Sequence, residues 1–213
     1  MRVAISQRVD VIRDYGERRD ALDQAWYELL GHLSAVALPA PNAPDLLDAW
    51  LEATKPQAIV LSGGNDPAGT PGATQVAPER DETERRLLDY ARANELPVLG
   101  VCRGAQYMNL YCGGRLRRVD GHVAQRHAVR IEAGVLPVLA GLEDVNRFHK
   151  AAIGPDDLGQ DLQTAATADD GTIEAFVHTT RPWIGILWHP EREPAPRAAQ
   201  DLTLIRQHFG LSA

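Results

Sequence analysis

The chain has 213 residues, 44% of them hydrophobic and 24% charged, enough for one well-buried domain over 1–213 and short for two. A formal net charge of −7 excludes a broad nucleic-acid footprint, whose phosphates need a basic face, yet leaves room for a nucleotide-sized ligand in a local basic pocket. Two cysteines, Cys102 and Cys112, are too few for a disulfide-stapled secreted domain. Residues 1–20 show no apolar leader core, and no run nears the roughly 20 apolar residues a membrane span needs. The cytoplasm is the expected compartment, with no membrane partner.

In chain order, Val3-Ala4-Ile5 reads as a short strand. Arg18 to Leu33 repeats at helical spacing, with Ala21, Leu22, Ala25, Trp26, Leu29, Leu30 and Leu33 on one face. Ala35–Leu38 is a second strand, ended by Pro39, and Asp45–Ala53 a short helix. Ala58–Leu61 is a third strand running into Ser62-Gly63-Gly64-Asn65-Asp66. Pro67 to Pro78, rich in Gly, Pro, Ala and Thr, is expected to form a flexible lid beside that turn. A charged helix over Glu79–Asn94, a strand over Pro97–Val101 and a helix over Arg103–Tyr111 follow, and Gly113 stops the last. Short strands are then expected at 128–132, 163–168, 173–178 and 183–188, with a closing amphipathic helix over 198–209. Alternating strands and helices predict an α/β fold: a flavodoxin-like, open, mostly parallel mixed sheet with helices on both faces.

Three clusters carry chemistry. Gly100-Val101-Cys102-Arg103-Gly104 follows a buried strand and opens a helix, as the thiol counterpart of the nucleophile elbow. A tight turn there projects one side chain above the sheet, and the helix N-terminus favours a thiolate. The backbone N–H of Arg103 is left to face a developing oxyanion. The plain alternative is a small buried cysteine in a glycine-rich turn. In Trp188-His189-Pro190-Glu191, extended backbone puts His189 and Glu191 on one side, where the carboxylate can orient the imidazole. By itself that segment reads first as a surface His-Pro-Glu turn. Ser62-Gly63-Gly64 lies at a strand's carboxyl end, where open α/β sheets bind ligands and glycines let backbone approach them. His122 and His127 have no metal-site spacing, and neither metal nor cofactor is expected. Arg115, Arg117, Arg118, Arg126 and Arg130 form a basic stretch that reads first as a solvated face.

Together these segments resemble the class I glutamine amidotransferase-like proteins and, within them, γ-glutamyl hydrolases of the peptidase C26 type. The resemblance is carried by Leu61–Pro67, Arg80–Glu84, Pro97–Gln106, Phe148-His149, Gly171–Ala175 and Gly185–Glu191. It implies a triad of Cys102, His189 and Glu191 and an oxyanion hole from the N–H groups of Gly64 and Arg103. It also implies substrate contacts from Gly63, Gln106, Asn146 and His149. Lys150 and Ala151 depart from the family's His and Gln on the leaving-group side. The stretches Ser6–Asp10 and Tyr15–Trp26 resemble the bacterial γ-glutamyl-CDP-amidate hydrolases. On that resemblance Arg18 and Arg19, with Arg8, are candidates for a phosphate-bearing leaving group; a solvated helix start is the equal alternative.

The expected activity is hydrolysis of a γ-glutamyl C–N bond through a Cys thioester. The expected partner is a small γ-glutamyl substrate, nucleotide-linked or a simple amine; a homodimer is allowed. The rivals are a glutaminase subunit feeding ammonia to a separate synthase and a non-enzymatic binding protein on the same fold.

Overall fold

The computed structural model describes residues 1–119, 123–148, 151–195 and 197–211. The chain begins with β1 (Arg2–Ile5), a hairpin of β2 (Arg8–Ile12) and β3 (Glu17–Ala21), α1 (Ala25–His32), β4 (Val36–Pro39) and α2 (Pro44–Thr54). It continues through β5 (Ala58–Leu61), α3 (Pro78–Asn94), β6 (Val98–Val101) and α4 (Arg103–Tyr111). Then come β7 (Arg117–Arg118), β8 (Val123–Ile131), β9 (Asp144–Phe148), β10 (Ala151–Ala152), β11 (Leu162–Ala168), β12 (Ile173–His178), β13 (Trp183–Ile186) and α5 (Ala198–His208).

Nine strands form one sheet in the order β4-β1-β5-β6-β13-β12-β11-β8-β9. The first five run parallel and the remaining pairs are antiparallel. Taken in chain order, the parallel strands have the 2-1-3-4-5 arrangement of a flavodoxin-like sheet, whose switch point lies between β1 and β5. The expected mixed sheet is therefore present.

Strand periodicity explains why both faces are covered. In β6, Leu99 and Val101 enter one apolar cluster, while Val98 enters the other. The first cluster is completed by Trp26, Leu29 and Leu30 of α1 and Leu204 and Ile205 of α5. The second is completed by Leu47 and Leu51 of α2, Leu87, Leu88 and Ala91 of α3 and Ala105 and Met108 of α4. Parallel strands buried on both sides are apolar throughout: every residue of β5, β6 and β13 is buried.

One expectation fails. The helical repeat placed at Arg18–Leu33 starts seven residues later, at Ala25, and Glu17–Ala21 is a strand. Its partner is β2, in the register Arg8↔Ala21 to Ile12↔Glu17. The reversal is closed by Gly16, at φ +71°, with its N–H donated to Ile12 O at 2.8 Å. The hairpin stands apart from the main sheet, so Glu17-Arg18-Arg19-Asp20 has no apolar face to reveal period two, and all four are exposed.

Helix α4 approaches β5 closely enough that a Cβ on Gly104 would stand 2.0 Å from Leu61 O. Alanine normally stabilises a helix relative to glycine. Here the backbone would have to move, so Gly104→Ala is expected to destabilise the fold by about 3 kcal/mol, read as a lowered urea midpoint with an unchanged slope.

Candidate active site

The C-terminal ends of β1, β5, β6 and β13 meet at one edge of the sheet. Cys102 follows β6 directly and opens α4. Its backbone is held at φ 51°, ψ −109°, a conformation costing an L-residue roughly 1–3 kcal/mol. The turn is fixed from both sides: Cys102 N–H donates to Ile186 O at 2.8 Å, and Gln106 N–H to Cys102 O at 3.0 Å. Glycines flank it because nothing larger fits, a Cβ at Gly100 falling 2.9 Å from Ala105 Cα. Arg103 is the first helical residue, so its N–H lacks an intrahelical acceptor.

His189 follows β13 in extended conformation, φ −112° and ψ 94°. Its Nδ1 lies 2.6 Å from Glu191 Oε1, and its ring lines one cavity with Cys102, to which it is coupled electrostatically. The ring edge faces Gly63, where a Cβ would stand 2.7 Å from Cε1. Phe148 meets the ring edge-on, with centroids 5.5 Å apart. Burial works against an imidazolium here; the Cys102 side chain and, next, the Glu191 carboxylate outweigh it and hold the His189 pKa up to about 10.

Behind these groups lies a buried charge network. Glu84 of α3 accepts from Arg80 Nε at 3.0 Å and from Ser6 Oγ at 2.8 Å through Oε1, and from Arg103 through Oε2. Arg103 also pairs with Asp81. Arg80 donates onward to the carbonyls of Ser62, Gly63 and Gly64 at 2.6, 3.0 and 2.9 Å. In a trans peptide the next N–H points opposite the carbonyl, so the Gly64 N–H is turned away from Arg80. Burial and then the nearby Arg103 lower the Arg80 pKa to about 10, which leaves it cationic at neutral pH.

Cys102, Gln106 and His189 line a cavity of about 380 Å³ with Gly64, Phe148 and the Thr70–Gln75 segment. Arg8, Arg118 and Arg192 also reach it. The expected lid is tied down: Asp66 Oδ2 accepts the N–H groups of Thr74 and Gln75 at 2.9 and 3.0 Å. Gln106 borders the cavity, but its Nε2 donates to Ala151 O at 2.8 Å. Asn146 lies elsewhere, bonded to the His189 backbone. Arg18 and Arg19 are also absent from the lining; Arg18 pairs with Glu79, and Arg19 with Glu17 at 2.6 Å. The hairpin stands clear of the main sheet, so both side chains are exposed whichever of its faces they take. His149 and His122 fall outside the described residues, and His127 Nε2 lies 3.3 Å from Glu174. Of the five arginines in the basic stretch only Arg118 reaches the cavity. Sequence reasoning gave Arg192 no role, and its position one residue past Glu191 was the available signal. Among the described residues, no helix is long and apolar enough to cross a membrane.

This sheet, with a cysteine on a strained strand-to-helix turn beside a His–carboxylate pair, is the class I glutamine amidotransferase-like architecture. The chain belongs to the peptidase C26 family, whose model matches residues 9–191, and members of this group act as hydrolases on C–N bonds. It is 28% identical to the gamma-glutamyl-CDP-amidate hydrolase of Campylobacter jejuni, over 99% of this chain and 98% of that protein. It is 31% identical to the carbamoyl phosphate synthase small chain of Parasynechococcus marenigrum, over 92% of this chain and 45% of the relative. A glutamine amidotransferase structure from Thermotoga maritima superposes with a TM-score of 0.72 at 15% identity, covering 98% of each chain.

Two outcomes follow from the electrostatics. Glu84→Gln leaves two buried guanidinium groups undercompensated and should cost about 3–5 kcal/mol in urea unfolding. In the substrate-free protein, the His189 ring resonances should titrate near pH 10. Removing either anion destabilises the cation, so Cys102→Ala should lower that midpoint most and Glu191→Gln somewhat less.

Proposed function

We propose that the protein hydrolyses a γ-glutamyl C–N bond, with Cys102 as nucleophile, His189 as acid and base, and Glu191 orienting His189. The observation that carries this reading is the His189 ring, whose Nδ1 lies 2.6 Å from Glu191 Oε1, in a cavity wall that it shares with Cys102. The Cys102 thiolate attacks the γ-carbonyl, and the Gly64 and Arg103 N–H groups receive the oxyanion. His189 gives its proton to the departing nitrogen. It then takes one from water, whose hydroxide attacks the thioester; glutamate leaves, and the proton passes to the leaving thiolate or to solvent. Cytoplasmic placement is part of this reading, since both cysteines are free thiols.

The favoured leaving group is phosphate-bearing and nucleotide-linked, of the kind in the Campylobacter relative's name. Its support is the cavity wall, which Arg8, Arg118 and Arg192 line with planar donors; Arg8 also pairs with Asp10 at 2.7 Å, and Arg192 lies 3.7 Å from Asp23. Glutaminase action for a separate synthase is the second reading, supported by the carbamoyl phosphate synthase relative. Glutamate release from γ-glutamyl-CDP-amidate, neutral γ-glutamyl amines and glutamine, measured side by side, separates these readings. Turnover of glutamine alone, rising with an added synthase, favours the second; no glutamate from any of them rejects both.

Cys102→Ala should abolish turnover and leave stability within about 1 kcal/mol. Cys102→Gly, which accepts the left-handed backbone, should be more stable than Cys102→Ala by about 1 kcal/mol. Either variant retaining appreciable turnover removes Cys102 as nucleophile. Arg8→Ala and Arg192→Ala should raise KM for the anionic substrate about tenfold, the weight of one charge-assisted hydrogen bond. Neutral substrates should change little. Arg18→Ala and Arg19→Ala should spare both, and equal losses on both substrate types would reject an anionic leaving group.

A further inference from the structure

His189 is fixed by more than its ring contacts. Asn146, on β9, accepts the His189 N–H through Oδ1 at 2.9 Å and donates from Nδ2 to His189 O, also at 2.9 Å. One carboxamide thus holds both polar groups of the His189 main chain, as a neighbouring strand would. The contact is long-range in the sheet, because β9 is the far edge strand, four places from β13. Two residues along on the same side of β9, Phe148 packs against the His189 ring. The edge strand therefore sets both the backbone and the ring of His189.

A carboxamide could in principle bind with its oxygen and nitrogen exchanged, which would set its NH₂ against the His189 N–H. Glu193 prevents this. Its Oε1 accepts from Asn146 Nδ2 at 2.5 Å, a bond only the nitrogen can donate. Arg126 of β8 neutralises Glu193 with bonds of 2.8 and 3.1 Å, and also pairs with Asp144. Glu193 is buried, with a side chain 4% exposed, so its charge is not spent on solvent.

We infer that Asn146 is a positioning residue for His189 and that Glu193, anchored by Arg126, locks Asn146 in its productive orientation. The inference rests on the reading of His189 as the acid–base group. It moves Asn146 from substrate contact to support of the imidazole and gives Glu193 a role that its place two residues beyond Glu191 does not suggest. The charged groups around His189 are Cys102 at the start of α4, Glu191 and Arg192 in the following turn, Arg8 of β2, and Glu193 with Arg126. Asp201 of α5 lies behind Trp188, whose Nε1 donates to it at 3.0 Å. Of these, Glu191 bonds the ring itself, and Cys102 acts on it electrostatically.

The test compares Asn146→Ala, Glu193→Ala and Glu193→Gln with the wild type. His189 titration is followed by NMR without substrate, and kcat and KM with a γ-glutamyl substrate. A displaced imidazole loses alignment with Cys102, so Asn146→Ala should lower the His189 midpoint and cut kcat about 30-fold or more, as small misplacements of catalytic groups do. KM should stay within about twofold. Glu193→Ala should move both readouts in the same direction. Glu193→Gln, whose side-chain oxygen still accepts from Asn146, should recover most of each. A generalised loss of packing would lower the unfolding midpoint without moving the His189 titration. A wild-type titration and kcat in Asn146→Ala overturn the inference. If that variant does not fold, identical titration and kcat in Glu193→Ala and Glu193→Gln overturn it. Wild-type protein inert towards γ-glutamyl compounds, with a titration that still responds to Asn146→Ala, removes the substrate reading and leaves the positioning intact.

Discussion

Glu84 stands fully buried on α3 between two arginines, and two parts of the site converge on it. Through Arg80 it fixes the carbonyls of Ser62, Gly63 and Gly64, and so sets which way the glycine N–H groups face. Through Arg103 it reaches the residue immediately after Cys102. Ser6, at the end of β1, is joined to the same carboxylate, and its Oγ receives the Ser62 N–H at 2.9 Å. One anion thereby ties three strand ends and a helix start into fixed relation. Buried charge is costly unless compensated. Two cations with distinct backbone and carboxylate partners give a compensation that a hydrophobic replacement would not reproduce geometrically.

Topology decides why this happens at one edge. Chain order across β4, β1 and β5 reverses at β1, which opens a crevice at the carboxyl ends of the strands. The β2–β3 hairpin is laid over that crevice and pinned by Asn65, whose side chain exchanges bonds of 2.8 and 3.0 Å with the Val9 backbone. Arg8 is carried against Gly64 by the same clamp. The antiparallel half curls far enough for its edge strand to touch His189. The site therefore draws on both halves of the sheet.

Much of this was legible in the chain itself. The apolar runs at Ala58–Leu61 and Val98–Val101 announce strands buried on both faces. Gly100 and Gly104 announce a close approach at Cys102, and His189-Pro190-Glu191 places two side chains on one side. What escaped reading shares a physical cause: dependence on partners distant in sequence. Glu17–Ala21 pairs as a strand only because β2 lies beside it, and its own residues carry no alternation. Of the three arginines suited to a phosphate, the hairpin brings Arg8 to the cavity wall and leaves Arg18 and Arg19 outside it. For Asn146 the resemblance implied a substrate contact; its carboxamide bonds a backbone 43 residues away. Hydrogen-bond partners of this kind leave no periodicity behind.

The central position of β13 has a consequence for how the protein is made. This strand separates β6 from β12, yet it follows the other eight strands of the sheet in chain order. During synthesis Cys102 leaves the ribosome well before residues 183–186 do, and the sheet cannot close around a strand not yet present. The Cys102 thiol consequently spends its first moments without the histidine that faces it in the finished protein. Pairing of β13 supplies hydrogen-bond partners to both β6 and β12, and His189 follows it in the chain. Non-local pairing of this sort slows folding, and here it also leaves the cysteine without its histidine until residues 183–189 have been added.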